Sequence, residues 1–97
     1  MVLHLGGDTV VSMKNIIAIL DIKTAYSSRI NREFMAMAEE EGFVRKVSED
    51  EPKTVILAEI NKMSVIYLSP ISSTTLLKRS TFIEGVAMDI KNTEGIK

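Results

Sequence analysis

The sequence has no cysteine and no tryptophan, a single histidine, His4, and only two prolines. Without thiols there are no disulfides, no thiolate catalysis and no thiolate metal centre. One histidine excludes a multi-histidine metal site within one chain, and no metal or cofactor is expected. Three Phe and two Tyr are too few for a platform on which single-stranded bases stack. No apolar run approaches the ~20 residues of a membrane-spanning helix. The first residues lack the basic stretch and long apolar segment of a signal peptide. A cytoplasmic protein without a membrane partner is expected.

What remains is one small domain. A chain of 97 residues is too short for two domains each burying a core of its own, and one domain is feasible without staples. The net charge of −1 is not that of a dedicated nucleic-acid binder. Its distribution is uneven. Residues 1–32 carry Lys14, Lys23, Arg29 and Arg32 against Asp8 and Asp21. Residues 33–51 carry seven acids against Arg45 and Lys46. Residues 52–83 carry four bases against Glu59. An acidic middle thus lies between two mildly basic flanks.

The pattern of apolar residues predicts an α+β fold in the order βββ-α-βββ-α, mainly antiparallel. Val2–Leu5 and Thr9–Ser12 read as strands, joined by a turn at Gly6-Gly7-Asp8. Met13-Lys14-Asn15 offers a second tight connection. Ile16–Leu20 is a continuous β-branched run, which favours a strand buried on both faces. Three such strands in succession suggest an antiparallel meander. Residues 22–28 read as a connection, with Ser27 or Ser28 able to cap a helix. Ile30, Phe34, Met37 and Ala38 then recur at helical spacing, and Gly42 is a good terminator. Glu39-Glu40-Glu41 opposes the helix macrodipole, so packing must hold this helix.

Phe43–Val47, Thr54–Glu59 and Ser64–Ser69 read as three further strands, with Asn61-Lys62 as a hairpin turn. After Pro70, Ser72 or Ser73 can cap a last helix, whose late part Lys78 and Arg79 would suit. The domain is expected over 1–84. Residues 85–97 show no clear period and are expected to form a flexible tail.

Several residues invite chemical readings, and each has a plainer one. Gly6-Gly7-Asp8 is followed by a β-branched strand, not the helix N-terminus a phosphate loop requires, so a hairpin turn is favoured. His4 alternates with Leu3 and Leu5, which suits a strand face or subunit contact better than catalysis. Glu39–Glu41 and Glu49–Glu51 lack the alternating ligands of a calcium loop and read as solvated charge. Ser69, Ser72, Ser73, Thr74 and Thr75 have no recognisable base partner, so helix entry explains them better than nucleophilic catalysis. Met13, Met35, Met37 and Met63 suit core filling before a contact surface. No catalytic residues are assigned, and an enzyme is not expected.

Two long segments resemble a known family. Leu3-His4-Leu5-Gly6-Gly7-Asp8, Val10-Val11-Ser12 and Ile16-Ile17-Ala18-Ile19-Leu20-Asp21 resemble the extracellular-matrix regulatory proteins RemA and RemB. Pro52-Lys53-Thr54-Val55-Ile56, Tyr67-Leu68-Ser69-Pro70-Ile71-Ser72-Ser73, Thr75-Leu76 and Lys78-Arg79 look like the RemB branch. The resemblance covers roughly residues 1–80, the length of a whole small domain.

The resemblance implies a bacterial, DNA-binding transcription regulator of biofilm matrix genes, acting as a ring-shaped homo-oligomer. The candidate DNA-binding residues are Lys14, Lys53, Lys78 and Arg79, with Arg29 and Arg32 behind them. The sequence departs from the RemA pattern at two basic places. The turn before the third strand reads Lys14-Asn15, and the loop before the central strand reads Asp50-Glu51-Pro52-Lys53. Acids in place of arginine lower phosphate affinity per subunit. A second reading is therefore an oligomeric module that docks a partner protein, such as a RemA-type paralogue, through its acidic segment. Self-association is expected under both, because the runs 16–20 and 55–58 are too apolar for one-sided burial in so small a chain.

Overall fold

The computed structural model describes residues 1–88. It forms three layers around a four-stranded sheet. Strands β1 (Val2–Gly6) and β2 (Thr9–Ser12) make an antiparallel hairpin. A 3-10 turn, Met13–Asn15, leads to β3 (Ile16–Asp21). Helices α1 (Ile22–Ala25) and α2 (Arg29–Glu40) follow, then β4 (Val44–Lys46). Strands β5 (Thr54–Ile60) and β6 (Met63–Ser69) precede α3 (Ser73–Met88). The sheet order is β3-β5-β6-β4, with β4 parallel to β6 and the other pairs antiparallel. The α+β class and the order of strands and long helices are as the sequence predicts, with α1 added inside the expected connection.

The central strand shows why two cores form. Side chains alternate along a strand, so β5 serves both faces. Val55 and Leu57 pack with Ala25, Met35, Ala38 and Ile66 under α1 and α2. Ile56 and Ala58 pack with Leu3, Leu5, Val11 and Leu76, between the hairpin and α3. The hairpin and α3 thus share one face of the sheet, and α1 and α2 cover the other.

Local chemistry sets the boundaries. Asn61 and Lys62 both take positive φ, 53° and 68°, as a type I′ turn between β5 and β6 requires. Ser28 Oγ accepts from the Asn31 N–H at 3.0 Å and caps α2. Ser72 Oγ accepts from the Thr75 N–H at 3.2 Å at the start of α3. Asp21 caps α1, its carboxylate accepting from the Lys23 N–H at 2.9 Å.

Five expectations are corrected. The first three strands form no meander: the 3-10 turn carries β3 out of the hairpin and onto β5. β3 is an edge strand whose two faces are only partly covered: Ile16 and Ile19 pack toward the hairpin side and Leu20 toward the α1–α2 side, while Ile17 is 64% exposed. In α2 the residues at helical spacing are mostly outside. Met35 and Ala38 are buried, whereas Ile30, Phe34 and Met37 are exposed. Of the methionines read as core filling, only Met35 is fully buried, Met13 packs against the other core, and Met63 is exposed with Met37. Finally, α3 continues to Met88. Lys78 and Arg79 therefore lie in its first half rather than its late part. The remainder of the proposed tail, 89–97, lies outside the described residues.

Candidate nucleic-acid interface

A single subunit does not gather its six candidate cations. They fall in three places. Lys53 directly precedes the central strand on a rigid backbone. Its N–H donates to the Ser69 carbonyl at 2.8 Å, and its carbonyl accepts from the Ile22 N–H at 2.9 Å. Arg29 and Arg32 open α2, which is tied to α1 at this same end of the sheet. Asn31 Nδ2 donates to the Thr24 carbonyl at 3.0 Å, and Arg32 Nη1 to the Tyr26 carbonyl at 3.3 Å. Arg29 pairs with Glu33 at 3.5 Å, with both side chains largely exposed. Such a pair is weak and leaves the guanidinium accessible.

Lys14 lies at the opposite end, in the 3-10 turn before Ile16, which pairs with Ala58. From Ala58 to Thr54 the sheet spans about 14 Å, so Lys14 and Lys53 do not meet within one chain. Lys78 and Arg79 sit on a third surface, where α3 packs beside β1. Arg79 Nη1 donates to the His4 carbonyl at 3.3 Å.

Two cations not singled out in the sequence join the Lys53 end. Lys23 lies in α1, next to Ile22. Lys46 pairs in register with Leu68, which pairs with Val55. Two strand spacings, about 10 Å, separate β4 from β5. No linear spacing signals this grouping, because strand pairing creates it. Acids share the neighbourhood: Asp21 is committed to the α1 cap, whereas Asp50 and Glu51 lie in the loop before Lys53. Close by, partial burial and then the Glu39 charge raise the Tyr26 phenol above its ordinary value.

The other chemical readings resolve locally. Gly6-Gly7-Asp8 is the hairpin turn, with Gly7 at φ +53°. Its backbone lies so close to the loop that a Cβ would stand 3.0 Å from the Val47 carbonyl oxygen. His4 is exposed on β1, opposite Val10. Ser69 lies before the helix, and its buried hydroxyl donates to the Leu5 carbonyl. Among the described residues no three His, Asp or Glu side chains are placed to hold a metal ion. No described helix is long and apolar enough to cross a membrane.

Fold and surface together define a small α+β domain with dispersed, exposed cations and two well-packed cores. The model of the RemA-like family, described as extracellular matrix regulatory protein A-like, matches residues 2–79. The chain belongs to this family. It is also 40% identical over 83 residues to extracellular matrix regulatory protein B of Bacillus subtilis (strain 168), covering 86% of this chain and 94% of that protein. The resemblance read from the sequence and its RemB-like segments agree with both.

Proposed function

We propose that this protein is a cytoplasmic, non-enzymatic regulator of extracellular-matrix genes that acts on duplex DNA as a homo-oligomer. The observation that carries the reading is the near full-length similarity to extracellular matrix regulatory protein B. The arrangement of charge says how DNA would be met. Lys53, Lys23, Lys46, Arg29 and Arg32 share one end of the sheet, and Lys53 stands on backbone held from two sides. Asp50 and Glu51 weaken that end in a single subunit. An oligomer repeats it at fixed spacing, so weak phosphate contacts multiply. Contacts of this kind position the duplex, and specificity then comes from DNA shape or bending.

The acidic stretch 33–51 favours a second reading, in which the oligomer docks a basic protein partner such as a RemA-type paralogue and leaves DNA alone. Light-scattering mass with and without a ~30-base-pair duplex, at low and moderate salt, separates the two. A defined oligomer that gains mass with DNA at low salt and loses it at moderate salt is expected. An oligomer that ignores DNA at every salt would transfer the case to the partner-binding reading.

A further inference from the structure

The subunit carries two exposed apolar surfaces on opposite faces of its sheet, and their surrounding charges are opposite. The first is a groove of about 300 Å³ between α2 and the sheet, lined by Ile17, Phe34, Met37, Phe43 and Leu57. Met37 is 56% exposed. Helix α2 covers this face of the sheet incompletely, because its apolar stripe Ile30, Phe34 and Met37 lies beside the buried Met35 and Ala38 and stays exposed. The rim is acidic. Glu41 lines the groove, and Glu33 and Glu40 are exposed on the same helix. The helix C-terminus adds partial negative charge there. Arg45 lies nearby, with its Nη1 committed to the Gly42 carbonyl at 2.7 Å.

The second surface is the outer face of the hairpin. Leu3, Leu5 and Val11 point into the core, so Val2, His4 and Val10 point out, with Val10 45% exposed. Its flanks are basic. Lys14 follows Met13, whose N–H donates to the Met1 carbonyl at 2.9 Å. Arg79 reaches the His4 carbonyl. Asp8 lies at the far end, in the turn.

We propose that the hairpin outer face of one subunit seats in the α2 groove of the next. The occupant is thus a second copy of this chain, and the choice rests on charge: the hairpin brings cations to a groove rimmed by acids. Because the surfaces lie on opposite faces of the sheet, the contact is heterologous, and each contacting pair keeps one free groove and one free hairpin. Repetition produces a head-to-tail series that closes into a ring when the rotation permits. Lys14 and Arg79 then serve subunit contact, and the Lys53 end is left for the duplex. The inference rests on the homo-oligomer reading and specifies its interface.

The test uses two full-length variants, Phe34→Glu in the groove and Val10→Glu on the hairpin. Circular dichroism checks that each folds; Met37→Glu and Val2→Glu replace any that does not. Each variant alone is expected at the 10.8 kDa monomer mass. Mixed in equal amounts they are expected at twice that mass and no more, since each supplies the one intact surface its partner lacks. Mixtures that stay monomeric, or single variants that assemble like the wild type, would overturn the interface. A wild-type protein monomeric at tens of micromolar would instead sink the homo-oligomer reading beneath it.

Discussion

The Ser69 hydroxyl and the Leu5 carbonyl are joined by a buried hydrogen bond across 64 positions of sequence. The same hydroxyl accepts from the Ile71 N–H at 3.0 Å. One small side chain thus fastens the hairpin to the central sheet and sets the entry to α3. Ser69→Ala would strand a buried acceptor and a part-buried donor, at a cost of about 1–3 kcal/mol. Urea denaturation should show a lower midpoint with an unchanged slope. A midpoint equal to that of the wild type would mean that water takes over both partners.

Gly7 combines positive φ with a close backbone neighbour. Gly7→Ala places a Cβ in a left-handed conformation and 3.0 Å from the Val47 carbonyl oxygen. We expect a loss of about 1–2 kcal/mol from the backbone conformation alone, with more if the 47–53 loop cannot yield. Thermal unfolding of Gly7→Ala beside Asp8→Ala checks this, since Asp8→Ala leaves the glycine conformation intact and should unfold near the wild-type midpoint.

Lys53 is the cation most firmly positioned at the proposed duplex-facing end. Lys53→Glu should weaken DNA binding by a similar factor for all sequences and flatten the dependence of log K on log salt. Oligomer mass should stay unchanged. Lys14→Glu should do the reverse, lowering assembly more than the affinity of whatever oligomer remains. Equal loss of DNA affinity in both variants at constant mass would return Lys14 to the DNA surface.

Tyr26 predicts a feature at alkaline pH. Its phenol is held above 10.0 in the folded protein, first by burial and then by Glu39. The unfolded chain ionises at the ordinary value. The folded state therefore retains the proton longer, and its stabilising contribution is complete below about pH 10 and lost as pH rises through the raised value. Tyr26→Phe should flatten the fall in stability above pH 10. A fall as steep as that of the wild type would assign the alkaline loss to the lysines instead.

Much of this molecule was legible along the chain, because its signals are local. Glycines that accept positive φ marked the first hairpin, and Gly42 marked the end of α2. A serine before a helical pattern marked the caps at Ser28 and Ser72. The β-branched run around Val55 and Ile56 announced the central strand, whose two faces are both buried. The ordered motifs over residues 1–80 pointed to the family that the matched region then showed.

Other features depend on which segments meet. The run Ile16–Leu20 reads as doubly buried, yet β3 lies at a sheet edge where each face is only partly covered and Ile17 stays exposed. Ile30, Phe34 and Met37 have the spacing of a buried helix face. Periodicity identifies a stripe without saying which stripe the sheet takes, and packing chose Met35 and Ala38. The grouping of Lys46 with Lys53 is set by a parallel strand pairing that no linear pattern encodes. Hydrogen bonding within turns and caps acts over a few residues, so composition and order determine it. Burial is shared among distant segments, so the tertiary structure decided which apolar residues became core, which remained open to a neighbour, and where the cations gathered.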